Sequence, residues 1–433
     1  MTEPVQPARA TPDRSMLWVA TGLGVFGLAN FVFLALVGRD LGPAGSAPVA
    51  VAWTILNAVG IGLFQPLEQE TSRRLSAGRA RREVGSHLGG MVRYAVLAGA
   101  VVVVVGLVGA PWIADRLFAG ARDIVVVVVL GLLGQGVAYF ARGVLAGTDR
   151  FSRYGMQLAV DGLVRILAAG VLFASGSGSR LGYGLVLVAA PLAATLLTVA
   201  VSTLVRVWSD RTGEHATTGM TGLVASSTSS QLLANLGPVA MAWLATAAEQ
   251  DLSGRFVAAV TVARIPLFLF AAIQAVFLPA LAALVAAGRA DEFSATVRRA
   301  SLATTGLAVA GVGGVAVLGH WVMRLIYGPE FTIGTGPLVL VAVSGGLFML
   351  AQVCAQALLA HHQERTTAVG WSVGVVAALV TLAGPWSLPV TVALALCVGS
   401  AVSLVVLAAA LVVRVRAWRA EPTPARPTTE VDG

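Results

Sequence analysis

Two arginines stand where a membrane-crossing helix would have to hold them. Arg264 lies nine residues into the apolar run 255–288, with no Asp or Glu three or four positions to either side. A guanidinium at that depth costs several kcal/mol if it meets lipid, so such a residue marks a cavity or an ion path. Its planar fork suits two oxygens of one phosphate. In the same run Pro266 and Pro279 each remove a backbone donor, and Gln274 adds an amide between them; the freed carbonyls need neighbouring helices or water. This run reads as the wall of a polar cavity. The second arginine, Arg165, follows Asp161 by four positions, the favourable acid-to-base order for a pair within one helix. That pair either neutralises itself so that the helix can insert or lines the cavity, and the sequence weighs the two equally.

The amides add hydrogen-bonding capacity of the kind sugar hydroxyls need. Gln231 and Asn235 share a helix face just after Ser226-Ser227-Thr228-Ser229-Ser230. Amides between membrane helices more often serve as glue, but five hydroxyls in a row make half of this helix polar and point to a wet face. Asn30 and Asn57 are lone amides in the first two apolar runs. Gln65 and Glu68 cluster with Gln69 and Glu70 at the mouth of the second run, beside the arginines of 73–82. The expectation is that guanidinium and amide groups from both halves of the chain converge on one chamber.

Other chemistry is excluded by what is missing. All 29 basic residues are arginine, so the chain has neither a Walker A loop nor a Schiff-base lysine. His87, His215, His320, His361 and His362 lack metal-ligand spacing, and Cys354 and Cys397 sit in apolar runs as small hydrophobes. No metal, cofactor or catalytic residue is expected.

The elements that position these groups follow from composition. Hydrophobic residues make up 57% of 433 positions and charged residues 12%, and the mean hydropathy is +0.83, values of a polytopic membrane protein. Apolar runs place twelve spans, at 15–37, 48–66, 93–114, 124–141, 155–175, 181–205, 220–248, 255–287, 301–319, 335–358, 367–384 and 389–413. The first is too long for the core of a cleaved signal peptide. Residues 1–14 form a polar tail expected to be disordered, 206–219 a linker, and 414–433 a second tail. Counting the boundary residues Arg93 and Arg255 with the connections they adjoin, the two tails and the even-numbered connections hold 21 arginines, the other side six and the span interiors two. Both termini are therefore expected in the cytoplasm. The net charge of +8 suits an anionic inner leaflet and calls for no nucleic acid. Connections on the far side are short, which leaves no room for a folded domain there.

The chain also repeats. Phe64-Gln65-Pro66-Leu67 and Ala77-Gly78-Arg79-Ala80 recur as Phe277-Leu278-Pro279-Ala280 and Ala287-Gly288-Arg289-Ala290, Asp40-Leu41 as Asp251-Leu252, and the end of span four matches that of span ten. Six spans per copy make both copies enter from the same side. The expected fold is all-α, about 12 helices in two six-helix bundles, 15–205 and 220–413, related by a pseudo-two-fold axis along the membrane normal.

Gly38-Arg39-Asp40-Leu41-Gly42-Pro43, Arg142-Gly143-Val144-Leu145-Ala146-Gly147-Thr148-Asp149-Arg150-Phe151, Arg264-Ile265-Pro266 and Phe277-Leu278-Pro279, in that order, resemble the lipid-linked polysaccharide flippases of the multidrug, oligosaccharidyl-lipid and polysaccharide exporter superfamily. The resemblance runs from about Leu17 to Val413. It implies two bundles in a V around a cationic cavity where an undecaprenyl-diphosphate-linked oligosaccharide is turned across the cytoplasmic membrane by alternating access. It implies as partners the lipid-linked sugar, membrane lipids, a polysaccharide polymerase and glycosyltransferases. The same superfamily includes ion-coupled drug antiporters, which in some members use a carboxylate in span one; none occurs here between Ser15 and Val37. A membrane-embedded sugar transferase ranks below both, because the far-side acids Asp115, Asp123, Glu249 and Glu330 sit in connections too short to fold over a substrate.

Overall fold

The chain is described by a computed structural model over residues 14–80, 88–200, 220–246 and 249–420. The side chains of 14–16, 77–80, 220, 268, 269, 271–276 and 279 lie outside that description. Among the described residues the regular structure is helical throughout: α1 (Arg14–Ala80), α2 (Gly89–Leu117), α3 (Arg122–Gly147), α4 (Phe151–Ala174), α5 (Arg180–Thr198), α6 (Met220–Leu244), α7 (Gln250–Ala263), α8 (Ile265–Ala286), α9 (Ala290–Tyr327), α10 (Thr335–Ala360), α11 (Glu364–Thr381) and α12 (Leu388–Ala420). Eight of these are long and apolar enough to cross a membrane by length and composition.

Two boundaries differ from the sequence reading. Spans one and two, expected at 15–37 and 48–66 with a loop between, are the two arms of α1, joined at Gly42, its one non-helical residue (φ 66°, ψ −180°). Glycine accepts that left-handed φ without a Cβ clash, and Pro43 can open the second arm because the first N–H of a helix is unpaired anyway. Span eight, expected as one kinked helix at 255–287, breaks at Arg264 (φ −90°, ψ 0°) into α7 and α8. Pro266 lies in the first turn of α8, where its ring disfavours helical geometry just upstream. Pro279 lies within α8 and does not interrupt it.

Counting the arms of α1 separately and α7–α8 as one broken crossing, the described chain crosses twelve times, six per half. The repeat is visible in the packing. α2 on α3, α3 on α5 and α4 on α5 in the first half are matched by α9 on α10, α10 on α12 and α11 on α12 in the second, and α1 on α4 by α6 on α11.

The halves meet unequally at their two ends. At the end away from Arg14 and Ala420, Phe33, Val37 and Val49 of α1 share one apolar core with Phe256 of α7, Met323 and Tyr327 of α9 and Val392 of α12. At the end bearing Arg14 and Ala420, the second half has its own core around Phe293, Leu358, Trp371 and Leu407. Between the two ends the second arm of α1 lies against α6. A Cβ on Gly62 would come within 3.0 Å of Thr228 Cα, and the Ser227 hydroxyl donates to the Ile61 carbonyl at 3.3 Å.

Candidate functional site

In the first half, α1 and α4 approach backbone to backbone, because a Cβ on Gly22 would collide with the Gly155 carbonyl and one on Gly162 would stand 3.1 Å from Ala29 Cβ. This contact sets Asp161 and Arg165 of α4 opposite Asn30. Arg165 donates from Nη2 to Asp161 Oδ1 and from Nη1 to Asn30 Oδ1, both at 2.9 Å. Asn30 Oδ1 accepts a second donor, Trp53 Nε1, at 2.9 Å, while its Nδ2 donates to the Phe26 carbonyl. The guanidinium carbon lies 5.4 Å from the Phe26 ring centroid, within cation–π range. Asn30, Asp161 and Arg165 are all buried.

The second half repeats the device with one part removed. Asn235, on the first helix of its half, accepts Arg264 Nη1 on Oδ1 at 3.3 Å, and its Nδ2 donates to the Gln231 carbonyl four residues back at 3.0 Å and to Gln231 Oε1 at 3.2 Å. Asn30 and Asn235 therefore have the same bonding pattern: an arginine on the oxygen and a carbonyl four residues upstream on the nitrogen. No carboxylate pairs with Arg264 among the described residues. Arg264 is half-buried, caps α7 and opens α8. Pro266 has no N–H and the Leu267 N–H donates to the Arg264 carbonyl at 2.9 Å, so the start of α8 adds little beyond the Arg264 side chain. Arg264 and the Gln231 amide lie together around Asn235, groups suited to an anion with hydroxyls attached.

The sequence reading missed a third cluster. Arg142 is buried inside α3 and donates to Glu68 Oε2 at 3.0 Å, its guanidinium carbon 4.0 Å from the Tyr139 ring centroid, and Tyr154 donates its hydroxyl to Glu68 Oε1 at 2.8 Å. Arg142 directly follows the apolar run ending at 141, and so was counted with the cytoplasmic loop. The signal was Glu68, an acid at the same depth on the neighbouring crossing. Next to it, buried Glu70 pairs with Arg73 and Arg74 at 2.6 and 2.8 Å.

The expected convergence of both arginines on one chamber is corrected here. Arg165, Asp161 and Asn30 are closed inside the first half, because the intrahelical acid and the glycine contacts of α1 and α4 draw them into its interior. Arg264, Asn235 and Gln231 form a separate group in the second half. Asn57 and Gln65 are half-buried on the second arm of α1, Asn57 donating to the Trp53 carbonyl at 2.7 Å. The side chain of Gln274 lies outside the described residues. Glu249, in the connection between α6 and α7, accepts the Thr246 hydroxyl at 2.8 Å and the Thr246 N–H at 3.1 Å, which hold its carboxyl below the usual range.

No family model matches the chain. An uncharacterized protein of Mycobacterium tuberculosis strain H37Rv is 29% identical over 419 residues, 90% of each chain. An uncharacterized protein of Mycobacterium bovis is 27% identical over 430 residues, 92% of this chain and 93% of the relative. Among solved structures, the inward-facing conformation of a multidrug resistance MATE family transporter of the MOP superfamily superposes with a TM-score of 0.70 at 13% identity, covering 94% of this chain and all of that one. An outward-facing conformation gives 0.67 at 14% identity over 96% and 98%. A point mutant of a Vibrio cholerae MATE transporter gives 0.64 at 16% identity over 93% and 97%. At these identities the likeness establishes the fold: a multi-pass membrane protein with the architecture of MATE transporters.

Proposed function

We propose that the chain, built on this two-bundle fold, is a carrier that turns a lipid-linked, diphosphate-bearing oligosaccharide across the cytoplasmic membrane by alternating access, with both termini in the cytoplasm, in cell-surface polysaccharide assembly. One observation carries the cargo assignment: among the described residues Arg264 pairs with no acid, and it stands half-buried at the break between α7 and α8. The 14 residues of α7 place it about 20 Å from the opposite end at 1.5 Å per residue. Broken helices of this kind present their N-terminal ends to anionic groups of cargo in many carriers. The diphosphate would meet Arg264, the sugars would find Gln231, Asn235 and the hydroxyls of α6, and the lipid tail would stay in the bilayer. Arg165 and Asp161 fall outside this assignment, being bonded to each other.

The test is export of the surface polymer in cells carrying Arg264→Ala. Loss of export with unchanged membrane insertion is expected, and Arg264→Lys, which keeps the charge without the fork, should retain a fraction. Normal export in Arg264→Ala would remove the assignment. A second reading, ion-coupled efflux of drugs, is favoured by the multidrug transporters that share this fold. It calls for an available acid deep in the membrane, whereas Asp161 is bonded to Arg165 and Glu249 is held in a connection. Altered resistance to cationic compounds in the Arg264→Ala strain, with export intact, would select it.

A further inference from the structure

The segment Gly38-Arg39-Asp40-Leu41-Gly42-Pro43 has no part in the cargo site, yet each of its polar or conformationally special residues has a distinct task. Asp40 accepts the hydroxyl of buried Tyr183 at 2.7 Å, tying the end of the first arm of α1 to α5 of its own half. Gly42 makes the bend. Arg39 points the other way, into the second half. Its Nε donates to the Ile326 carbonyl at 2.7 Å and its Nη2 to the Leu325 carbonyl. Those carbonyls belong to the last turn of α9, which ends at Tyr327, and the last carbonyls of a helix have no partner within it and carry the negative end of its dipole.

The surrounding contacts make the approach specific. A Cβ on Gly38 would stand 2.9 Å from the Tyr327 ring and 3.1 Å from the Phe331 ring, and both rings are buried. At the next crossing, a Cβ on Gly254 of α7 would collide with the Pro43 carbonyl. On the far side of the seam, Trp112 of α2 meets Trp243 of α6 edge to face, with ring centroids 4.6 Å apart. All of these contacts join opposite halves at the end where the halves share their core.

We propose that Arg39 is the latch of this end: by capping α9 from the other half it holds the two bundles shut here, and its release accompanies opening to this face of the membrane. A guanidinium serves because its fork reaches two adjacent carbonyls at once, where an ammonium would satisfy one. The proposal concerns access to the cargo site and not the identity of the cargo.

The test uses the full chain in liposomes, with Cys354→Ala and Cys397→Ala as background. Spin labels at Ser177→Cys and Ser387→Cys, both exposed at this end in different halves, report the separation of the bundles by pulsed dipolar spectroscopy. Arg39→Ala is expected to raise the ratio of the long-distance to the short-distance population about tenfold, and Arg39→Lys about threefold. A native distance distribution in Arg39→Ala overturns the latch. Should Arg39→Ala fail to accumulate in the membrane, Gly38→Ala decides on the same labels, since its methyl presses on Tyr327; there too a native distribution overturns the proposal. Arg264→Ala should leave the distances unchanged, so failure of the cargo assignment and failure of the latch are read separately.

Discussion

The two halves hold the same asparagine–arginine pair in opposite electrostatic states. On one side, Asn30 and Arg165 are joined by Asp161 and Trp53 and sealed from solvent; on the other, Asn235 is buried with Gln231 and Arg264 beside it, and Arg264 stays half-buried with no acid among the described residues. Packing explains the first arrangement, because a buried cation needs a paired anion, with Arg165 Nε the one donor of the group left unpaired. It does not explain the second. An arginine left without an acid within a membrane fold is costly, and its natural counter-charge is one that comes and goes. One half has made the motif part of its scaffold, and the other keeps it available.

The sharpest way to break this comparison is to remove the acid that distinguishes the halves. Asp161→Ala strands Arg165 inside the first half and should cost about 3–5 kcal/mol, measured as a lower thermal unfolding midpoint in detergent. The double replacement Asp161→Leu with Arg165→Met should recover most of it, and a failure to recover would give the pair a role beyond scaffold. Next in size, Asn30→Ala leaves two donors without their acceptor and should cost about 1–3 kcal/mol. Asn235 is as buried as Asn30 but accepts one donor where Asn30 accepts two, so Asn235→Ala should cost less, about 1 kcal/mol; equal losses at the two sites would erase the contrast. Arg264→Leu should gain up to about 1 kcal/mol while export is lost, the usual opposition of stability and activity at a working site.

How much was legible in the sequence depended on the range of the interaction. The class, the twelve crossings and the repeat followed from apolar runs and from landmarks at one spacing, because burial in lipid dictates composition over about 20 consecutive residues. Arg264 stood out because its helix offered no acid, and none pairs with it among the described residues. The Asp161–Arg165 pair was visible as a local spacing, but whether it lined a cavity or the interior depended on Gly22, Gly155 and Gly162, which set how closely α1 and α4 approach. The bonds from Arg165 to Asn30 and from Arg142 to Glu68 join residues 135 and 74 positions apart, and no period in a single sequence encodes such partners. Single-residue events were also hidden: Gly42 alone turns the chain where a loop over 38–47 was expected, and Arg264 breaks a crossing that no polar stretch interrupts.

The Arg39 contacts have a consequence for how the protein is made. Arg39 and the Ile326 carbonyl are 287 residues apart in the chain, so at about 5–20 residues per second the ribosome needs roughly 15–60 s after producing one to produce the other. During that interval the nascent first bundle waits in the bilayer with Phe33, Val37 and Val49 turned toward partners not yet synthesised. Closure of this end of the protein therefore waits for its ninth helix, and a chain halted before that point would be a target for quality-control proteases even with all six crossings of the first bundle threaded.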